Sequence, residues 1–192
     1  MKYRKLVLGF LILAIVVSGL AVIKTLIAHK EPETKMLIVF YSHTGNARFV
    51  SEHIQTLTGA DVFELIPVEP YPEEVGVTIE RARQEREDGV LPSLVGKIDN
   101  IADYDIIFLG SPNWFGTLSL PMLSFLGSYD LSGKTIVPFI TFGRGGLQNT
   151  ITDLKTLVPN AIFFEEFGVS RDDLKDSGTD IAQWLERIGI TQ

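Results

Sequence analysis

Residues 42–46 read Ser-His-Thr-Gly-Asn, a small polar turn. It lies between an unbroken apolar and aromatic run, Met36 to Tyr41, and a stretch that puts Ala47, Val50, Ile54 and Leu57 on one helical face. A turn between strand and helix aims free backbone N–H groups and the positive end of a helix dipole at one point, so it can hold a phosphate without a lysine. Ser42 and Thr44 add hydroxyl donors, and Gly45 admits close approach. The same residues also suit an ordinary βα turn with Asn46 as the helix cap. Two further glycine-containing stretches share its character: Gly110-Ser111-Pro112-Asn113-Trp114-Phe115-Gly116-Thr117 and Thr141-Phe142-Gly143-Arg144-Gly145-Gly146. Trp114 is expected in a turn between Pro112 and Gly116, either as a platform for a planar ring or as a lid folded back on the core. Three such loops on one rim, two bearing aromatics, suit a flat aromatic ligand with a phosphate tail.

The elements that must position them alternate between strand and helix. Met36 to Tyr41 reads as a strand buried on both faces. Asp61 to Val68 is a second strand, with Pro67 marking its end or a sheet edge. Tyr104 to Leu109, Lys134 to Thr141 and Ala161 to Glu165 complete five. Thr78 to Asp88, with Arg81/Glu85 and Arg83/Glu87 at i,i+4 spacing, reads as a solvated helix. Leu147, Ile151, Leu154 and Leu157 form a helix face closed by Pro159. The last helix carries Ile181, Trp184, Leu185 and Ile188 after a capping box of Ser177 and Asp180, and Trp184 belongs to its apolar stripe. This rhythm predicts an α/β fold: a doubly wound, five-stranded parallel sheet with helices on both faces. Ligands in such sheets sit beyond the carboxyl ends of the strands, where the strand order reverses. The three unusual loops follow the first, third and fourth strands.

The 192 residues allow one domain with a short appendage. Without cysteine the chain has no disulfide, no thiolate metal site and no thiol nucleophile. His29, His43 and His53 are too scattered for a metal centre, so none is expected; His53 shares the face of Val50 and Ile54 and is expected to pack there. Of the 17 Lys and Arg, six fall in residues 1–35, as do two of the 24 Asp and Glu, leaving −11 on the remainder. A body that acidic repels nucleic acid and anionic lipid and steers basic partners toward it. Lys2, Arg4 and Lys5 precede an uncharged stretch from Leu6 to Ile23, roughly 27 Å long as a helix. Residues 1–28 therefore read as a retained single-pass membrane anchor with the domain outside the cytoplasm, or as a cleaved signal peptide. Residues 29–35 form a tether and 36–192 the domain. Gly127 to Lys134 fails as a phosphate-binding P-loop: its glycines are one residue too far apart and it enters a strand. No Gly-x-Ser-x-Gly elbow and no Gly-x-Gly-x-x-Gly fingerprint occurs.

Ser-His-Thr-Gly-Asn at 42–46, the 110–117 segment, and Gly133-Lys134-Thr135 leading to the 141–146 loop occur in an order and spacing that resemble the flavodoxin family, over about residues 36–188. The resemblance implies strand order 2-1-3-4-5 and noncovalent FMN at the switch between the first and third strands, of which that family is a known instance. It implies phosphate contacts from Ser42, His43, Thr44, Gly45 and Asn46, with Ala47 alongside. Ser111, Pro112, Asn113, Trp114, Phe115 and Gly116 are then expected beside the isoalloxazine, and Thr141, Phe142, Gly143, Arg144, Gly145 and Gly146 at its pyrimidine edge. The implied function is electron transfer by a membrane-tethered flavoprotein, with a redox partner protein or a small-molecule acceptor and no catalytic side chain. An FMN-dependent NAD(P)H:quinone-type reductase and a redox-silent module on the same fold are the alternatives. Two residues depart from the family pattern. Ala47 stands where it carries threonine, a lost donor worth about 1.5–3 kcal/mol unless Arg48 curls back. Arg144 puts a fixed charge in a usually neutral loop, where it would stabilise reduced anionic flavin and raise its potential.

Overall fold

The computed structural model describes residues 34–190. The anchor or signal segment, most of the tether and residues 191–192 lie outside the described residues. Among the described residues no helix is long and apolar enough to cross a membrane.

The apolar run at the start forms β1 (Met36–Phe40), with Leu37 to Phe40 buried. Both of its sides are paired, in parallel, to β2 (Asp61–Glu64) and β3 (Ile106–Trp114). β3 pairs onward with β5 (Thr135–Phe142), and two short strands, β6 (Ile162–Phe163) and β7 (Phe167–Ser170), share the far side of β5. Counting β6 and β7 as one interrupted fifth strand, the order is the expected 2-1-3-4-5. One antiparallel addition, β4 (Thr117–Leu118), folds back on the end of β3.

Alternation along the strands sorts the core into two layers. Ile38, Phe40, Phe108, Val137 and Phe139 face α1 (Asn46–Thr58) and α5 (Gly178–Arg187). Leu37, Val39, Ile107, Leu109, Ile136 and Ile140 face α2 (Val75–Glu87), α3 (Leu120–Leu126) and α4 (Thr150–Leu157). Trp184 lies in the first layer, fully buried, and its indole N–H donates to Glu165 O at 3.0 Å. His53 packs as expected, its ring 4.3 Å from that of Phe49.

Several boundaries differ from the sequence expectation. β3 runs on to Trp114, so Gly110 to Trp114 is strand and not loop. β2 stops at Glu64, and Pro67 makes one antiparallel bridge with Leu94. Leu57 and Leu157 are exposed in the last turns of their helices, where Thr58 and Val158 take the buried places. No capping box forms: the buried Ser177 hydroxyl donates back to Leu174 O at 2.7 Å. Arg83 bonds Glu80 at 2.7 Å instead of Glu87.

Gly110 is paired with Phe40 on one side and Phe139 on the other. A Cβ there would lie 2.0 Å from the Phe139 ring and 2.7 Å from Phe40 Cβ. Gly110→Ala is therefore expected to lower unfolding free energy by about 3 kcal/mol, the upper range for overpacking, as measured by urea titration. A loss below about 1 kcal/mol would show that the Phe139 ring has room to move.

Candidate functional site

The carboxyl ends of β1, β3, β5 and β7 open on a cavity of ≈ 370 Å³. That is within the range of small-molecule sites, roughly 300–1,000 Å³. His43, Thr44 and Asn46 line it from the first loop, Pro112 to Phe115 from the end of β3, and Thr141 to Gly143 from β5. All three expected segments therefore meet at one place.

The first turn keeps its donors. Ser42 Oγ accepts the Arg48 N–H at 3.2 Å, which leaves its own hydroxyl hydrogen free to donate. Gly45, at φ 87°, takes the cap position expected of Asn46, which is instead the first helical residue. The N–H groups of Asn46 and Ala47 find no acceptor among the described residues. They point outward from the start of α1, where an anion is favoured. Ala47 itself is packed in the core beside Val50 and Ile54, so its side chain does not reach the cavity. Arg48 does not curl back; it pairs with Glu64 on β2.

His43 Nε2 is buried without a hydrogen-bond partner, the one such side-chain atom among the described residues. Its ring stands edge-on to Trp114 at 6.2 Å. Burial holds its pKa below the ordinary histidine value.

Trp114, the last residue of β3, is both a wall of the cavity and part of an aromatic cluster. It lines the cavity, and it packs edge-on against Tyr41 at 5.5 Å and Tyr71 at 5.1 Å. Tyr71 is held from behind: its hydroxyl donates to Glu85, and the Arg81 guanidinium lies 4.5 Å over its ring while bonding Glu85 at 2.8 Å. This aromatic wall was not foreseen, although Tyr71 between Pro70 and Pro72 is a conspicuous residue for a loop.

Helix α2 corrects a larger expectation. It is not merely solvated: Val75, Thr78, Ile79 and Ala82, at i, i+3, i+4 and i+7, form one wall of the cavity. That stripe was present in the sequence beneath the charged residues that surround it.

Other expected contacts do different work. Ser111 is buried and accepts the Ser119 N–H at 3.0 Å, tying β3 to the start of α3. Gly116 and Gly145 do not line the cavity. A Cβ on either would lie 2.4 or 2.5 Å from the Gln148 side-chain amide, which occupies the space between them. Gly146 offers its carbonyl to Asn113 Nδ2 at 2.8 Å, and Asn113 Oδ1 accepts the Gly116 N–H at 2.9 Å. Asn113 thus knits the second and third loops together. Arg144 is exposed and off the cavity, and the cation that lines it is Arg171, just past β7. His43 and Arg171 are the only ionisable side chains of the lining, and no carboxylate is among them. Among the described residues no three metal-ligating side chains come together.

A sequence model of the flavodoxin family matches residues 35–188. Among solved structures, the chain is similar to a Bacteroides eggerthii protein inferred to be a flavoprotein, at 28% identity and TM-score 0.71, over 83% of this chain and 100% of that one. A Bacteroides uniformis protein of the same description matches at 24% identity and TM-score 0.70, over 80% and 98%. A Lactobacillus acidophilus flavoprotein in complex with FMN matches at 20% identity and TM-score 0.62, over 79% and 99%. The latter two likenesses establish the fold.

The depressed pKa of His43 gives the ligand-free protein a pH signature. As pH falls below 6.5 the unfolded chain takes the proton first, so stability is lost. His43→Gln is expected to lose less melting temperature than the parent between about pH 7.5 and about pH 5.5. Parallel curves for the two proteins would place the imidazole in water.

Proposed function

The chain belongs to the flavodoxin family, and we propose that it binds FMN noncovalently in the rim cavity and carries electrons between partners. The observation that carries this reading is the buried, partnerless His43 Nε2 on the wall of a cavity that combines anion donors with an aromatic surface. A buried polar atom without a partner calls for an explanation, and a polar ligand supplies one. The donor set fits FMN in three respects. The 42–46 turn presents hydroxyl and backbone N–H donors to a phosphate without a lysine. Trp114, Val75 and Ile79 offer apolar surface to a planar ring, and the carboxylate-free lining spares an anion repulsion from a body of net charge −11. The FMN carried by the Lactobacillus acidophilus protein on this fold also supports the choice of ligand.

When bound, FMN would supply one- and two-electron redox chemistry. The chain's own residues would bind and orient it. Ser42, Thr44 and the first N–H groups of α1 hold the phosphate, Trp114 and α2 exclude water from the ring, and Arg171 adds positive charge at the far side. Neutral His43 can donate or accept one hydrogen bond. The reading includes a membrane tether through Leu6 to Ile23 and a domain outside the cytoplasm.

Titrating the purified protein with FMN is expected to quench flavin fluorescence at one equivalent. Trp114→Ala should weaken binding by roughly tenfold, the equivalent of the largest aromatic-pair term. A protein that stays colourless and leaves FMN fluorescence unchanged would overturn the assignment. Mixed rapidly with NAD(P)H, the loaded protein should be reduced slowly; fast reduction would make it a reductase. Protease added to intact cells should remove the domain if it lies outside the cytoplasm, and full protection would place it inside.

A further inference from the structure

β3 and β4 are joined by a two-residue turn, Phe115-Gly116, with Trp114 paired to Thr117. Both turn residues have positive φ, 55° and 83°. Hairpins of this hand take Asn, Asp or Gly at the first position, because a bulky side chain is strained there. A phenylalanine at 115 therefore costs conformational energy, and burial does not offset it: Phe115 is 40% exposed, and it lines the cavity.

The strained tip is braced from two sides. From α2, Arg86 Nη1–H donates to Phe115 O at 3.3 Å, and the guanidinium lies 5.8 Å from the ring centroid. From the other side, Asn149 N–H donates to Gly116 O at 3.0 Å, with the Gln148 amide packed against Gly116. Arg86 does not line the cavity. Val75 and Ile79, which also line the cavity, are 53% and 42% exposed, apolar carbon that a planar ligand would cover. Helix α2 buries only Thr78 and Ala82, so its own packing fastens it weakly to the sheet.

We infer that Phe115 is a fixed jaw of the cavity and Arg86 the positioning residue that latches it to α2, so that together they set how long a planar aromatic ligand stays bound. The inference rests on the FMN reading of the site. Strain kept at a ligand cavity and over-determined by its neighbours is a device for holding a side chain in place before the ligand arrives. The jaw contributes to retention, while the phosphate turn contributes to capture.

The test compares the full chain with Phe115→Asn, Arg86→Gln and Arg86→Lys, reading three quantities. These are the melting temperature without FMN, the FMN dissociation rate, and iodide quenching of the residual flavin fluorescence. Phe115→Asn installs the residue the turn prefers, so it is expected to raise the melting temperature while releasing FMN roughly tenfold faster. Arg86→Gln should also speed release and increase quenching, and Arg86→Lys should restore part of the retention, since lysine keeps a donor for the carbonyl but not the planar stack. Wild-type protein that takes up no FMN overturns the site assignment and this inference with it. Wild-type binding with unchanged release and quenching in Phe115→Asn and Arg86→Gln overturns this inference alone.

Discussion

The Phe139 ring and the Cβ of Phe40 lie against the bare backbone of Gly110, and that close approach sets the level of the three central strands. From this point the strands part company. β1 stops at once and turns through residues 41–45 into α1, while β5 runs on to Phe142 and β3 to Trp114. The cavity is the space left by their unequal lengths. The short strand delivers donors at its floor, and the longest raises an aromatic wall beside them. A side chain at 110 would force the strands apart and misalign both.

The electrostatics follow from the same geometry. The domain is strongly acidic, yet no carboxylate lines the cavity, and several are paired elsewhere. Glu64 holds Arg48, Glu85 holds Arg81 and Tyr71, and Glu80 holds Arg83. An anion entering the cavity meets local dipoles and Arg171, and general attraction has no part in its binding. Such a site selects for a ligand that matches its donors over one that is merely charged.

Much of this was legible from the residues. Buried parallel strands read as apolar runs, so the order of elements and the convergence of the loops followed from pattern alone. Gly110 to Trp114 was read as loop because glycine, serine, proline and asparagine all disfavour strands. The sheet overrides them for a local reason. Gly110 accepts a bond from Tyr41 on the β1 side, so Pro112, two residues on, turns its missing N–H toward the same side, where β1 has already ended. Helix α2 was misjudged because its charges hid a stripe of three apolar residues and a threonine. The strand expected at 161–165 forms as β6, but its continuation as β7 to Ser170 was not read, and it is this continuation that brings Arg171 to the rim while Arg144 stays off it. The glycines at 116 and 145 suggested a ligand's approach, but the Gln148 amide fills the space they leave. A glycine reports that something comes close without saying what.

The hairpin that ends β3 carries a further consequence. Its tip is clasped by a helix on one flank and by the 143–149 loop on the other, so the wall it forms is held from two sides before any charge appears beside it. For an electron carrier, an environment that is already arranged keeps the reorganisation energy small. On the carrier reading proposed above, the pace of exchange would be set by how near a partner brings its own redox centre, with no movement of the fold required.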